Sequence, residues 1–184
     1  MSMSGKTLRV VTVGDGACGK TCLLMAFAER TYQERYIPTV FERRTKSLSS
    51  RQGPVTLDLI DTAGQEEFAR LRPMFYQDAD VILIAFSIDS KVTLENALDV
   101  WWPEATHYCP SGTPMVLVGL KSDLRGVSPN VVSQSDATGT AGRMGGVPYV
   151  ECSAKEQIGI DEVFQAAVTA CAPPESQPSC CVIL

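Results

Sequence analysis

The sequence predicts an α/β domain built on a doubly wound, mostly parallel sheet with one antiparallel edge strand. Two continuous apolar runs, residues 81–86 (VILIAF) and 115–118 (MVLV), suit strands buried on both faces of a parallel sheet. Short strand-like runs alternate with helical stretches, the order of a doubly wound fold. Residues 45–50 and 55–60 flank Gln52-Gly53, which predicts a hairpin and hence the antiparallel edge.

The elements follow in order. Residues 8–13 read as a strand and 20–29 as a helix. The hairpin comes next, then strands at 81–86 and 115–118 and a short last strand at 147–150. Residues 94–108 and 160–171 read as amphipathic helices. Residues 125–146, rich in Gly, Ser, Thr and Val, read as a loop holding one weak helix. Residues 172–180 carry three prolines and read as an extended tail. The expected organisation is one domain over 1–171 and a flexible tail over 172–184. There is no internal repeat.

Composition excludes several classes of function. The 184 residues make about one domain at roughly 150 residues each. At 45% hydrophobic and 20% charged, the chain is unlike a disordered or collagenous protein. The formal net charge of −5 argues against non-specific nucleic-acid binding. With His107 the single histidine, a multi-histidine metal site is impossible. Seven cysteines (Cys18, Cys22, Cys109, Cys152, Cys171, Cys180, Cys181) show no Cys-x-x-Cys spacing. The thiols are therefore expected to be reduced, in a reducing compartment. The start has no h-region for a signal peptide and lacks the myristoylation pattern. No apolar run approaches the length of a membrane span.

Four motifs carry chemistry. Gly14-Asp15-Gly16-Ala17-Cys18-Gly19-Lys20-Thr21 fits G-x-x-x-x-G-K-[ST] between a predicted strand and a predicted helix. Its glycines permit a tight turn whose backbone N–H groups, with the helix N-terminus, cradle phosphate oxygens. Lys20 should reach the outer phosphates and the Thr21 hydroxyl should bind Mg²⁺. Asp61-Thr62-Ala63-Gly64-Gln65 follows the strand at 55–60. Asp61 can hold Mg²⁺ directly or through water, Gly64 lets the backbone approach a γ-phosphate, and Gln65 can orient an attacking water. Leu120-Lys121-Ser122-Asp123 follows the strand at 115–118. Asp123 can accept from the N1–H and amine of guanine, a donor pair adenine lacks, while the Lys121 stem covers the ring. Ser153-Ala154-Lys155 can offer a backbone N–H to the guanine O6. Each motif alone has an ordinary surface-turn explanation. All four follow strands, where ligand sites of open α/β sheets lie.

With these residues the sequence resembles the Ras superfamily of small GTPases, G domains of the P-loop NTPase class. GDGACGKTCLL, YIPTVFE, DTAGQEEFARLRP, FSIDS and ECSAK resemble the Rho branch in particular. The resemblance covers about residues 7–184. It implies GTP or GDP as ligand, slow GTP hydrolysis, and a switch that signals to effectors in cytoskeletal or membrane regulation. It implies that Thr39 joins Thr21 on Mg²⁺ and touches the γ-phosphate, that Tyr36 is the switch tyrosine, and that Tyr32 lies against the guanine. Cys22 is counted among the nucleotide contacts. Residues 33–43 and 62–78 correspond to the two switch segments. The expected catalytic set is Lys20, Thr21, Thr39, Asp61, Gly64 and Gln65. No arginine finger is evident in cis, so an activating protein is expected to supply one. Exchange factors, activating proteins, a dissociation inhibitor and effectors are the implied partners.

The chain departs from the family at four places. Leu120 stands where the base motif begins with Asn or Thr. Ile60 replaces an aromatic that helps exchange factors choose partners. Arg43-Arg44 follow Val40-Phe41-Glu42 where the family has Asn-Tyr, which leaves effector identity open. It also removes the asparagine that ADP-ribosylating toxins modify. The stretch 123–153 is about ten residues short, so the Rho insert helix is expected to be truncated or absent.

Cys18 and Cys22 sit at a helix N-terminus, which favours thiolate; the alternative, preferred on residue size, is two buried packing residues. Cys109 and Cys152 read as packing residues, Trp101 and Trp102 as packing or partner surface, and His107 as a satisfied polar residue. Cys181-Val182-Ile183-Leu184 is a C-a-a-X box whose final Leu favours geranylgeranyl. One lipid anchors only marginally. No Lys or Arg follows Lys155, so palmitoylation of Cys180 is the candidate second signal. The expected location is the cytoplasmic face of the plasma membrane or endomembranes, with a cytosolic pool. Two rivals remain at this stage. One is a GTP-loaded interaction module with negligible turnover or fast exchange. The other is a small-molecule phosphotransferase, for which no arginine-bearing lid or acceptor pocket is visible.

Overall fold

The structure, a computed structural model, describes residues 5–32, 39, 41–50, 53–65, 68 and 70–172. Tyr36, Gln52, most of 33–40, residues 66, 67 and 69, and the tail from 173 with Cys180, Cys181 and the C-a-a-X box lie outside the described residues.

A six-stranded sheet forms the middle layer. Its strands are β1 (Thr7–Gly14), β2 (Phe41–Ser50), β3 (Gly53–Thr62), β4 (Val81–Ser87), β5 (Met115–Leu120) and β6 (Tyr149–Glu151), in the order β2-β3-β1-β4-β5-β6. Only β2 runs antiparallel, pairing β3 from Phe41 opposite Thr62 to Ser50 opposite Gly53. The remaining pairs are parallel. The expected α/β fold class and antiparallel edge are thus present.

Alternate residues of β1 face opposite layers, as a period of two requires. Leu8 and Val10 join one core with Leu57, Leu59, Val116 and Val118 under α1 (Lys20–Glu29) and α6 (Ile160–Ala170). Phe27 of α1 stacks on Phe164 of α6 with ring centroids 3.7 Å apart. Val11 and Val13 join the other core with Ile82, Ile84 and Phe86. Tyr76, Trp101, Ala105 and Ala137 cover that side. Every residue of β4 is buried, which explains its unbroken apolar run.

The second layer contains α2 (Pro73–Tyr76), α3 (Lys91–Asn96), α4 (Trp102–Tyr108) and α5 (Gln134–Arg143). Between α3 and α4, residues Ala97–Trp101 form a π-helical turn, so the helix expected over 94–108 starts earlier and is interrupted. The cause is Pro103. Proline cannot donate to the carbonyl four residues back and crowds it, and a π turn widens the ladder there. The weak helix expected within 125–146 is α5, started by Ser133, whose Oγ accepts from the Asp136 N–H at 3.0 Å.

Two boundaries need correction. The last strand is Tyr149–Glu151 rather than 147–150, because its partners on β5 are Leu117 to Gly119. The hairpin's first strand begins at Phe41, not 45, because β3 pairs it to that point. Among the described residues no helix stands between the 3₁₀ turn Ser122–Leu124 and α5, in line with a missing insert helix.

Candidate functional site

All four motifs meet at the carboxyl ends of the strands, around a cavity of about 530 Å³. Gly19, at φ 114°, occupies a left-handed conformation that turns the chain into α1, and its carbonyl accepts the Leu23 N–H at 3.0 Å. The N-terminus of α1 therefore faces the cavity, where an anion is favoured. Buried Lys20 places Nζ 2.8 Å from the carbonyl oxygens of both Gly14 and Asp15. That uses two of its three protons.

The second motif brings oxygen ligands to the foot of the cavity. Thr21 Oγ1 donates to Asp61 Oδ2 at 2.6 Å and lies 2.9 Å from Thr39 Oγ1. Asp61 is fully buried, and its Oδ1 has no partner among the described residues. Burial pushes its carboxyl above the usual carboxylate range, and Glu42 adds to this. The Thr21 hydrogen bond and the Lys20 and Arg44 charges pull the other way. An orphaned carboxylate oxygen beside two hydroxyls fits a hard divalent cation such as Mg²⁺. Gly64 must be glycine, because a Cβ there would strike the Gly14 carbonyl oxygen and lie 2.6 Å from the Gly16 nitrogen. The Gln65 side chain lines the same wall.

On the far side, Asp123 Oδ1 accepts from Ser153 Oγ at 2.6 Å, and Ser153 Oγ accepts the Glu156 N–H at 3.0 Å. The Ser122 N–H donates to the Cys152 carbonyl at 3.0 Å, so the Asp123 and Ser153 loops form one unit. Lys121, Asp123, Ala154 and Lys155 line the cavity with Leu120. Leu120 is buried, its Cδ1 3.5 Å from where a Gly19 Cβ would sit. Arg125 braces this unit through a fork to Glu151, with contacts of 2.7 and 2.6 Å. A third bond, of 2.8 Å, runs to the Val132 carbonyl.

A sequence model of the Ras family matches residues 9–172. The chain belongs to the Ras family. It is 48% identical over 183 residues to the GTP-binding protein rhoC of Emericella nidulans, covering 92% of this chain and 64% of that protein. It is 48% identical to the GTP-binding protein rho4 of Schizosaccharomyces pombe, covering 91% of this chain and 87% of the relative. To the GTP-binding protein RHO1 of Candida albicans it is 47% identical, with 88% and 86% covered. The chain thus spans just under two thirds of rhoC and most of the other two. These relatives place it in the Rho branch of the small GTPases.

Within this Rho-family frame, the structure brings together Gly14 to Thr21, Thr39, Asp61, Gly64, Gln65, Lys121, Asp123, Ser153, Ala154 and Lys155. Tyr32 lines the cavity and is 43% exposed; Tyr36 falls outside the described residues. Burial raises both the Cys18 and Cys22 thiols, outweighing the cationic neighbours, so the helix N-terminus does not make thiolates of them. Cys18 packs in the core, as the preferred reading of two buried packing residues had it, whereas Cys22 is only half-buried and lines the cavity. Cys152 is buried too, its thiol pushed up to about 12. Arg44 lines the cavity, but Glu29 and Glu42 hold its guanidinium at 2.9 and 2.6 Å. Two sets of contacts were not foreseen. Asn96 and Trp101 both donate to the Asp15 carboxylate, and Arg72 reaches the Ala63 and Gln65 carbonyls. The sole local signal for the first was the Trp-Trp-Pro break in a helical pattern.

Proposed function

We propose that this Rho-family GTPase is a membrane-anchored switch that binds GTP and GDP with Mg²⁺ and signals to effectors in its GTP form. One observation carries the reading: a cavity holding Lys20, the Thr21–Thr39–Asp61 cluster with its orphaned oxygen, and Gln65 at one end also presents Asp123 and Lys121 at the other. Thr21, Thr39 and Asp61 would hold Mg²⁺, which supplies charge neutralisation for the phosphates.

The chain's own groups do the rest. The N–H groups of 14–21 and the third proton of Lys20 bind phosphate oxygens. Asp123 accepts from the guanine N1–H and amine, oriented by the Ser153 hydroxyl. The Gly64 backbone, packed against the phosphate loop with no room for a Cβ, would bond a terminal phosphate. Gln65 aligns the attacking water, and Arg44, already paired, leaves the transition-state arginine to an activating protein. Exchange factors, a dissociation inhibitor and effectors complete the partner set, with cytoskeletal or membrane regulation as the output. Geranylgeranylation of Cys181 and palmitoylation of Cys180 would place the protein on the cytoplasmic face of the plasma membrane or endomembranes, with a cytosolic pool.

Intact Gln65 and Gly16 weigh against a module with negligible turnover, whereas buried Leu120 favours fast exchange. Mass spectrometry of the copurified nucleotide, with single-turnover hydrolysis of GTP and ATP, tests the reading. Bound guanine nucleotide and GTP-selective hydrolysis are expected. Adenine nucleotide or equal use of both overturns it.

A further inference from the structure

The phosphate loop and the Gln65 segment are held by the same interrupted helix. The Asp15 carboxylate accepts from Asn96 Nδ2 at 2.8 Å on one oxygen and from Trp101 Nε1 at 2.6 Å on the other. In an α-helix two residues five apart lie about 140° apart around the axis. A π turn closes i to i+5 and brings them towards one side. Here the Trp102 N–H bonds the Ala97 carbonyl in that way. The π segment is what lets Asn96 and Trp101 grip one carboxylate.

The other arm reaches Gln65. The Arg72 guanidinium lies 4.8 Å from the centroid of the Trp101 ring. It forks onto Glu104 at 2.7 and 2.9 Å, and its Nη1 stands 3.4 Å from the Ala63 carbonyl and 3.3 Å from the Gln65 carbonyl. The Tyr76 hydroxyl donates to the same Glu104 at 2.7 Å. Between the two arms, Gly64 abuts the loop with no room for a Cβ. Residues 63–65 are therefore enclosed between the phosphate loop and Arg72.

We propose that Asp15, Asn96, Trp101, Arg72 and Glu104 form a bracket that sets the Gln65 segment against the phosphate loop. Trp101 and Arg72 are then positioning residues for hydrolysis rather than for holding nucleotide. The inference rests on Gln65 orienting the attacking water. Nucleotide retention has separate supports in Lys20, Asp123 and Ser153, so the two properties should part company when the bracket is weakened.

The test uses the full chain with Trp101→Phe, which keeps a ring under Arg72 but removes the N–H, and Glu104→Gln, which keeps shape but removes the charge that holds the fork. Both are compared with the parent for single-turnover GTP hydrolysis, release of a fluorescent GDP analogue, and hydrogen exchange of a 62–71 peptide in the GDP form. Each variant should slow hydrolysis at least fivefold, leave GDP release within twofold and speed exchange over 62–71. Because the arms act as one unit, the double variant should be no slower than the worse single. The proposal is overturned if hydrolysis and release change by the same factor, if the two losses multiply, or if exchange over 62–71 is unchanged. A parent that does not hydrolyse GTP would sink the reading of Gln65, while the exchange measurement would still decide whether the bracket exists.

Discussion

Replacing Leu120 by asparagine should slow nucleotide release. Leu120 ends β5, is 3% exposed, and spans from the loop at 121–123 to the loop at 14–21, with Cδ1 3.5 Å from a Cβ position on Gly19. An amide in that place could bond both the loop backbone and the purine, where the leucine contributes packing alone. The buried side-chain oxygens without a partner belong, among the described residues, to Thr12 and Asp61, neither of them in the loops that Leu120 joins. The leucine thus forgoes a bond without orphaning such a group. The relevant scale is the net worth of one hydrogen bond, about 0.5–1.5 kcal/mol. That corresponds to roughly 2- to 13-fold in affinity. The assay follows release of a fluorescent GDP analogue from the parent, Leu120→Asn and Leu120→Ala. Asparagine also removes buried apolar surface, at roughly 1–2 kcal/mol of fold stability. Because that loss falls on free and loaded protein alike, the rate rather than the melting temperature is the readout. Release that is slower from the asparagine variant but not from the alanine variant, with unchanged GTP-over-ATP preference through Asp123, is expected. Equal or faster release from a Leu120→Asn protein that still unfolds cooperatively refutes the reasoning.

Gln65→Leu should bind GTP yet slow activator-stimulated hydrolysis about a hundredfold, the scale of one transition-state hydrogen-bonding group. Gly16→Val should do likewise, since a Cβ there already meets Gln65 Cγ at 3.9 Å; wild-type turnover in both would remove Gln65 from the mechanism. Thr39→Ala should keep GDP but lose effector binding and the GTP-dependent protection of 33–43 from hydrogen exchange, so identical protection in the two nucleotide states counts against a two-state switch. Cys181→Ser should be fully soluble and Cys180→Ser prenylated but weakly held in fractionation, an account that fails if the latter stays firmly on membranes. In Glu104, burial opposes the charge, but donation from Arg72 and Tyr76 outweighs it and holds the carboxyl below its usual range. Its contribution is therefore full above about pH 4.3 and fades as pH falls through the lowered value. Glu104→Gln should cost about 1–3 kcal/mol at neutral pH in denaturant titrations, with the gap to the parent narrowing under acid; a gap constant with pH would contradict the assignment.

Much of the fold was legible because burial writes itself into composition. β4 is buried along its whole length and reads as VILIAF; β5 is too, and β1 nearly so. The first residues of β2 were not legible for the converse reason. FERR offers no apolar alternation, because Arg44 is tied to Glu29 and Glu42, while Arg43 pairs with Asp58 at 2.6 Å. That segment is a strand because β3 accepts it, a property of the partner and not of the four residues. The same holds for β6, whose limits are those of the β5 residues opposite. The π turn was hidden because ALDVW reads as ordinary helix until the ladder must accommodate Pro103.

The site divides along the same line. A cradle built from eight consecutive residues announces itself, and so did the strand-end carboxylates. The sequence already assigned Asp61 to the cation; what it could not show was why Asp15, also at a strand end, is unsuited to it. Asp15 and Asp61 both lie at strand ends beside the cavity. The structure separates them by what their oxygens touch. Both oxygens of Asp15 are taken, by donors 81 and 86 residues away in sequence. Asp61 gives one oxygen to Thr21 and keeps the other bare inside the protein, where burial makes its charge costly. A carboxylate already satisfied by two N–H groups gains little from a metal. One with an orphaned oxygen and two hydroxyls within reach gains a great deal. Asp61 is therefore the residue to expect on the cation, and Asp15 the one to expect carrying mechanical load between the phosphate loop and the helix behind it.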